Sequence, residues 1–485
     1  VPDWAGLKTG IGMADPEDPI GKSAILGMVA MAVAVFVIAN DFTALSVALP
    51  AIERTFGTSV NTSQWVINGY AMVFGVAIVT GGRLADMFGR RRIFFIGAGV
   101  FATFSLIGGF APDIWLLLAG RFTMGIGGAM MWPAILGMTF SLLPKSKAGL
   151  AGGLVLGSAG CGNAFGPLLG GFLTDTIGWR WIFFFNLPIA VAAVIVTYLV
   201  VKPDEDRKDH AGIDYLGMGV LTVGLFALLL ALDMGTRIGW TSPFMIGLFV
   251  MAGIALAKFF FVERRAGDRA LVPDDVMRNG SFAAASLATL LMSAIFFAAL
   301  LYLPQFMSKV LGFRAIESGA GLLPMMGTFA VTSFIAGRLY ARLGAKVSVT
   351  GGALFLTAGM FLLSRISPTT TYDDLIFGMV VLGIGIGLFY SSITTAAITA
   401  LDSSRASLGG AIVYMAEIAG GSIGLGANTA IVLSASDMAD GIHIAFLVDG
   451  ILAACGAIVA LFFVGGTLSK EKLEAAWPHR HRAHA

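Results

Sequence analysis

The sequence predicts an all-α polytopic membrane protein: fourteen helices cross the bilayer, as two six-helix bundles with two added helices between them. Three observations carry this expectation. Of 485 residues, 57% are hydrophobic and only 12% charged, about half the charged share of an average soluble domain (roughly 25%). The apolar residues fall in blocks of about 20, the length that crosses a hydrocarbon core of about 30 Å as a helix. An internal repeat flanks the middle pair of blocks.

The predicted spans lie near 24–50, 62–82, 93–111, 113–136, 148–173 and 182–201, then 214–233 and 242–262, then 281–305, 317–337, 347–364, 373–397, 407–432 and 444–466. With both termini in the cytoplasm, 23 Lys and Arg of the chain's 31 face inward. They cluster in the two tails, 83–92, 145–147, 202–208, 264–278, 338–346 and at Arg405. Six face outward (Arg54, Arg180, Arg237, Lys309, Arg314, Arg365), and Arg121 and Lys258 lie in spans. The positive-inside rule therefore predicts N-in, C-in. The first 23 residues lack a basic start followed by a short apolar core, so they do not read as a cleaved signal peptide.

Organisation follows from the polar stretches 202–213 and 263–280, which bracket the middle pair. The expected layout is a cytoplasmic tail (1–23), a first six-helix bundle (24–201), a linker with two added helices (202–280), a second bundle (281–466) and a second tail (467–485). "FGTS…GGRLADMFGRRR" (56–92) aligns with "LGFR…AGRLYARLGAKV" (311–347) at an offset of 255. Gly57 then matches Gly312, Gly82 matches Gly337, and Gly89 matches Gly344. "MGIG" (124–127) matches "LGIG" (382–385) at 258. Two halves around a central cavity are a recurring transporter plan. The halves differ where charge sits: Asp41 pairs with Phe296, Asp86 with Ala341, and Arg121 with Met379.

Several classes are excluded. There is no phosphate-binding GxxxxGK[ST], no HExxH and no domain outside the spans long enough to house an ATPase. The two cysteines, Cys161 and Cys455, lie in spans and suggest neither a disulfide framework nor a metal cluster. The expectation is no enzyme, cofactor, metal or nucleic-acid partner, and energy drawn from an ion gradient or from the substrate itself.

The residues that remain are weighed one by one. In "GGRLADMFGRRR" the glycines permit a tight reversal and the arginines anchor the turn at an anionic leaflet. That does not explain Asp86 at the helix end, nor the echo of the motif in the second half. Arg121 lies about 12 Å into its span at 1.5 Å per residue. A buried arginine is costly and usually functional, the alternative being a tie to backbone carbonyls. In "GSAGCGNAFGPLLGG" (157–171), Gly162, Gly166 and Gly170 form one small-residue stripe, and Gly153 with Gly157 another, each allowing close backbone contact in lipid. Pro167 bends the helix, and Gly171 extends the motif. Either this is a tight helix contact, or a smooth seam over which the halves rock.

Glu417, close to mid-membrane, needs a partner or a proton. Asp41 sits in the outer half of the first span, and Asp449 stands within two turns of an outer end, where a solvated helix start is equally expected. Asp233 and His443 read as interfacial. Asn68, Tyr70, Trp132, Tyr390 and Tyr414 are candidate cavity lining, whereas Trp65, Trp179, Trp181 and Trp240 read as belt residues.

"GGRLADMFGRRR" resembles the signature between helices 2 and 3 of the major facilitator superfamily. There the aspartate and arginines latch the two halves on the cytoplasmic side, which implies that role for Gly82, Asp86, Gly89, Arg90 and Arg91. R-x-x-x-G-x-G from Arg121 is similar to the family's helix 4 signature, linked to proton coupling. G-x-x-x-G-P-x-x-G-G (162–171) is similar to the element that marks antiporters. "NDFTALSVALP" (40–50) and "GWRWIFFFNLPIA" (178–190) resemble the fourteen-helix drug:proton antiporters, although of the charged pair often found in helix 13 only Glu417 is present.

The resemblance implies proton-driven export of small lipophilic compounds, cationic ones among them, by a monomer in the cell membrane working by alternating access. Glu417 and Asp41 are the candidate proton and substrate carboxylates, with Arg121 modulating the proton. A narrow exporter or a flippase-like mover of lipid or siderophore on the same scaffold, and a non-transporting membrane sensor, remain open.

Overall fold

In the lipid interior a backbone must satisfy its own hydrogen bonds, which leaves the helix as the spanning form for a chain without alternating strands. The computed structural model describes residues 21–144, 147–202 and 214–464. Residues 1–20, 203–213 and 465–485, which hold most of the two expected tails and the polar 203–213 stretch, lie outside the described residues, as do 145–146. Fourteen long helices and no strand are present among the described residues. They are α1 (Lys22–Phe56), α2 (Val60–Phe88), α3 (Arg90–Gly109), α4 (Ile114–Leu142), α5 (Ala148–Thr176), α6 (Arg180–Val200) and α7 (Tyr215–Ile238). The series continues with α8 (Pro243–Ala266), α9 (Gly280–Lys309), α10 (Leu323–Leu343), α11 (Ala345–Leu363), α12 (Tyr372–Thr399), α13 (Ala406–Ser434) and α14 (Met438–Phe463).

Thirteen of these are apolar enough over a sufficient length to cross a membrane. The exception is α5, where nine of 29 residues are glycine, and glycine adds length without hydropathy. Packed between α1 and α10, it does not need lipid-facing side chains along its whole surface. The protein is a multi-pass membrane protein.

Most helices run past their predicted spans, because backbone hydrogen bonding continues beyond the length needed to cross hydrocarbon. Helix α1 continues through Pro50 to Phe56 and stops at Gly57, whose φ of 63° is left-handed, a conformation glycine adopts without a Cβ penalty. Its repeat mate Gly312 has φ 74°, and the pair Gly89 and Gly344 have φ 98° and 84°. The repeat is therefore conserved in backbone conformation as well as in letters. Two boundaries move further. The span expected at 317–337 is broken into a short helix, Ala315–Ala320, and α10, which restarts with Pro324 in its first turn, where its missing N–H costs nothing. Helix α14 begins six residues before the predicted 444, capped by Asp437, whose side chain accepts from the Asp440 N–H at 2.9 Å. Asp449 is thus eleven residues in, about 16 Å along the helix, and buried. The expectation of a solvated helix start does not hold there.

Packing repeats as the sequence does. In the first half α1 lies on α5 and α6, α4 on α2 and α3, and α3 on α6; in the second, α9 lies on α13 and α14, α12 on α10 and α11, and α11 on α14. The halves meet where α2 and α4 touch α13, and α5 touches α10 and α12. Helices α7 and α8 pack on each other, and α7 rests against α2 and α13 beside that junction. Large side chains such as Phe110, Trp115, Leu199 and Phe462 stay exposed around the outside, a surface that suits lipid rather than water.

Candidate functional site: a closed cavity between two helix bundles

Where the two halves face each other at mid-length, aromatic side chains converge. Helix α4 brings Trp132 to within 4.4 Å of the Tyr414 ring of α13, centroid to centroid, and Phe74 of α2 stands 5.6 Å from Tyr414. Phe42 meets Tyr70 at 5.8 Å, and in the second half Phe296 meets Tyr390 at 5.9 Å and Phe329 at 6.0 Å. Such pairs add roughly 0.5–1.5 kcal/mol beyond the area they bury, so the cluster also holds the halves together. Phe42, Phe74, Trp132, Asn163, Tyr390, Tyr414 and Glu417 line a cavity of about 50 Å³. A drug-sized ligand needs roughly 300–1,000 Å³; this conformation is closed.

Glu417 is the acid in that wall. It lies eleven residues into α13, partly exposed to the cavity. Among the described residues no ion pair or hydrogen bond holds its carboxylate, and Tyr390 and Tyr414 line the same cavity. Of the residues expected to contact substrate, Trp132, Tyr390, Tyr414 and Glu417 are brought together here.

Asp41 and Asn68 are engaged elsewhere. Asp41 is fully buried; its Oδ2 accepts from Arg121 Nη1 at 2.5 Å and its Oδ1 from Asn186 Nδ2 at 2.7 Å. Arg121 Nε donates to the Val66 carbonyl at 2.7 Å, and the guanidinium stacks over Tyr70 at 4.3 Å. The pair ties α1, α2, α4 and α6 into one unit, and removing one partner of such a pair typically costs about 3–5 kcal/mol. The glycines after Arg121 let the neighbours in: a Cβ on Gly125 would meet the Tyr70 carbonyl at 2.7 Å, and one on Gly127 would meet Phe101 N at 2.7 Å. Asn68 donates to Asp233 on α7 at 2.7 Å, so both serve the docking of the added helices. Asn186 stands at the N-x-P of "GWRWIFFFNLPIA", the stretch that resembles the drug:proton antiporters, although it was not among the expected site residues. Trp179 is another difference from expectation. It is buried, with its indole N–H on Thr55 Oγ1 at 3.1 Å and Arg180 stacked on its ring at 4.5 Å, rather than placed in a membrane belt.

At the end carrying the basic turns, Asp86 crosses from α2 to the N-terminus of α13. It accepts from Leu408 N at 2.8 Å and Ser407 N at 3.4 Å, where unpaired amides and the helix dipole favour an anion. Arg90, fixed by the left-handed Gly89, bonds Asp86 at 3.1 Å, the Gly137 carbonyl at 2.9 Å and the Ser403 carbonyl at 2.5 Å. Gly82 makes room, since a Cβ there would meet Ala411 Cβ at 2.6 Å. Arg91 donates to the Tyr198 carbonyl at 2.9 Å and lies over the Phe95 and Tyr198 rings, on the α3–α6 side. Asp86→Asn keeps the size and loses the charge at the helix end, a loss of about 1–2 kcal/mol. Distances between spin labels on α2 and α13 at this end should show the open population rise roughly tenfold. Unchanged distributions would remove Asp86 from the closure.

The glycines of α5 divide between two partners. Cβ atoms at Gly162, Gly166 and Gly170 would meet Phe36 O at 2.6 Å, Thr43 Oγ1 at 1.9 Å and Ala44 O at 2.1 Å, all on α1 of the same bundle. At Gly149 and Gly153 they would meet Gly337 O at 2.4 Å and Ser333 O at 2.6 Å on α10 of the other bundle. Of the two expected stripes, Gly162, Gly166 and Gly170 thus form an internal joint of the first bundle, whereas Gly153 and Gly157 lie on the contact between halves, a Cβ on Gly157 meeting the Phe334 ring of α10 at 2.8 Å. Pro167 and Gly171 of the motif face the second half, against Gly319 and Ile316, and Asn163 lines the cavity between the halves.

The match to known proteins agrees with this geometry. Residues 31–425 fit the Major Facilitator Superfamily model. The puromycin resistance protein pur8 of Streptomyces alboniger is 32% identical over 454 residues, covering 91% of this chain and 88% of that protein. The multidrug resistance protein Stp of Mycobacterium tuberculosis is 31% identical over 424 residues, covering 86% and 78%. The human organic anion transporter MFSD10 shares the fold at a TM-score of 0.64 with 14% identity, over 89% of this chain and 99% of that one. The chain belongs to the Major Facilitator Superfamily of membrane transporters, and its relatives include proteins named for antibiotic and multidrug resistance.

Proposed function

We propose that the protein exports small, mostly lipophilic compounds in exchange for protons, with Glu417 as the group for which drug and proton compete. The observation that carries this reading is one carboxylate, paired with no cation among the described residues, in the wall of an aromatic cavity between two halves. A flat cation gains from the faces of Trp132, Tyr414 and Phe74 and from the charge of Glu417. With no drug present, a proton satisfies the same carboxylate in the same dry surroundings. Exchange follows because one charge serves only one of them at a time. The relatives named for puromycin and for multidrug resistance support export of drug-like cargo. Aromatic walls with one acid favour breadth, because few polar groups are placed to select one shape.

Opening and closing at the two ends would come from the halves rocking on the α5–α10 and α2–α13 contacts, with the basic end in the cytoplasm. The Asp41–Arg121–Asn186 centre holds the first bundle rigid during that motion. In proteoliposomes loaded with ethidium as the probe, an imposed proton gradient should drive ethidium against its own gradient, and a protonophore should stop it. Ethidium moving only downhill, whatever the proton gradient, would reject exchange.

A further inference from the structure

The two bundles treat a buried aspartate differently. In the first, Asp41 has an amide donor, Asn186, and a guanidinium, Arg121. In the second, Asp449 on α14 is also buried, and Asn428 of α13 donates to its Oδ2 at 2.8 Å. The first pair does not recur by repeat: Asp41 aligns with Phe296, and the position that aligns with Arg121 holds Met379, fully buried and without charge.

No cation pairs with Asp449 among the described residues. Helix α9 contributes Tyr302, whose hydroxyl is bonded to Thr429 at 2.6 Å, one residue on from Asn428. Helix α11 presents Phe361 against Gly450. Helix α13 contributes Asn428 and Thr429, its own carboxylate Glu417 lying eleven residues earlier. On α14 itself His443 stands six residues before Asp449 and contacts the Ser364 carbonyl. Asp449 lies about 16 Å from one end of its helix and about 21 Å from the other. A bare carboxylate at that depth with one neutral donor has no charge to offset its lost hydration.

We infer that Asp449 is a second proton-binding site, occupied in this closed conformation, and that its bond to Asn428 ties the proton to α13, the helix that carries Glu417. Asn428 and Glu417 are eleven residues apart, close to three turns, and so share one side of α13. Where the first bundle neutralises its aspartate with a fixed guanidinium, the second uses an exchangeable proton. If Glu417 is the coupling acid, the coupling helix then answers to two protonatable carboxylates.

Infrared spectroscopy on the reconstituted full chain tests this without any drug. Protein grown with 13C-aspartate should show an isotope-shifted carboxylic-acid C=O band, which marks a protonated aspartate. The band should persist in Glu417→Gln and vanish in Asp449→Asn, a change that keeps the size and the Asn428 contact. In Asp449→Glu the band should remain but lose its sensitivity to aspartate labelling. An absence of any aspartate-sensitive band in the wild-type chain would overturn the site, as would its survival in Asp449→Asn. Because the band is read separately from ethidium transport, a failed Glu417 assignment leaves this test intact, and the reverse holds.

Discussion

Glu417→Gln should reduce proton-driven ethidium accumulation to the level of protein-free vesicles while leaving a folded, monodisperse protein. Glutamine has nearly the shape of the acid and is uncharged, so it mimics the protonated form permanently. The cavity wall, the aromatic contacts and the packing of α13 are untouched. What is lost is the competition, since there is no longer a charge for drug and proton to contest. Two readouts separate this from simple damage. Thermal stability should hold or rise slightly, because a buried acid without a cation is costly where it stands. Exchange of ethidium in the absence of a proton gradient should weaken less than uphill transport. If Glu417→Gln pumps uphill at the wild-type rate, the acid is structural and the coupling group lies elsewhere.

The second large effect separates two glycines on one helix. Gly166→Leu drives bulk into Thr43 and Ala44 of α1, with Thr43 Oγ1 1.9 Å from the first added carbon. That contact lies within the first bundle, so in the proposed rocking motion it persists throughout. Overpacking of this kind costs about 1–3 kcal/mol or more, so expression and melting temperature should fall together with transport. Gly153→Leu instead drives bulk into Ser333 O, 2.6 Å away, and Gly337 of α10. In the proposed rocking motion that contact breaks when the halves part at the basic end. The bundles should fold, and the protein should be held open there, with label distances across α5 and α10 lengthened and turnover lost. A folded but arrested Gly166→Leu, or an unfolded Gly153→Leu, would reverse the assignment of the two stripes.

How much of this was legible in the sequence varies with the kind of question. Which segments cross was plain, because in lipid each helix closes its own hydrogen bonds, leaving length and hydropathy as the signal. The repeat was legible too: Gly57 with Gly312, and Gly89 with Gly344, occupy left-handed positions that few other residues tolerate. Arg121 and Glu417 stood out because a charge in an apolar run is rare enough to notice.

Rotation of each helix about its own axis was not legible, and that is where the site was decided. In water an apolar stripe points to the core. In lipid both the packed face and the lipid face are apolar, so periodicity does not say which is which. The sequence could therefore propose Gly162, Gly166 and Gly170 as a surface for close approach without naming the helix that approaches. It could place Asp41 in a span without revealing that Arg121 and Asn186, 80 and 145 residues away, both reach it. Asn68 and Trp179 show the same limit, each pointing to a partner that only packing supplies. The sequence by itself determined the spans, the duplication and the charges that lipid must tolerate. Tertiary structure decided which charges neutralise one another, leaving Glu417 and Asp449 without a cation among the described residues, because that depends on contacts between helices and not on any property of one.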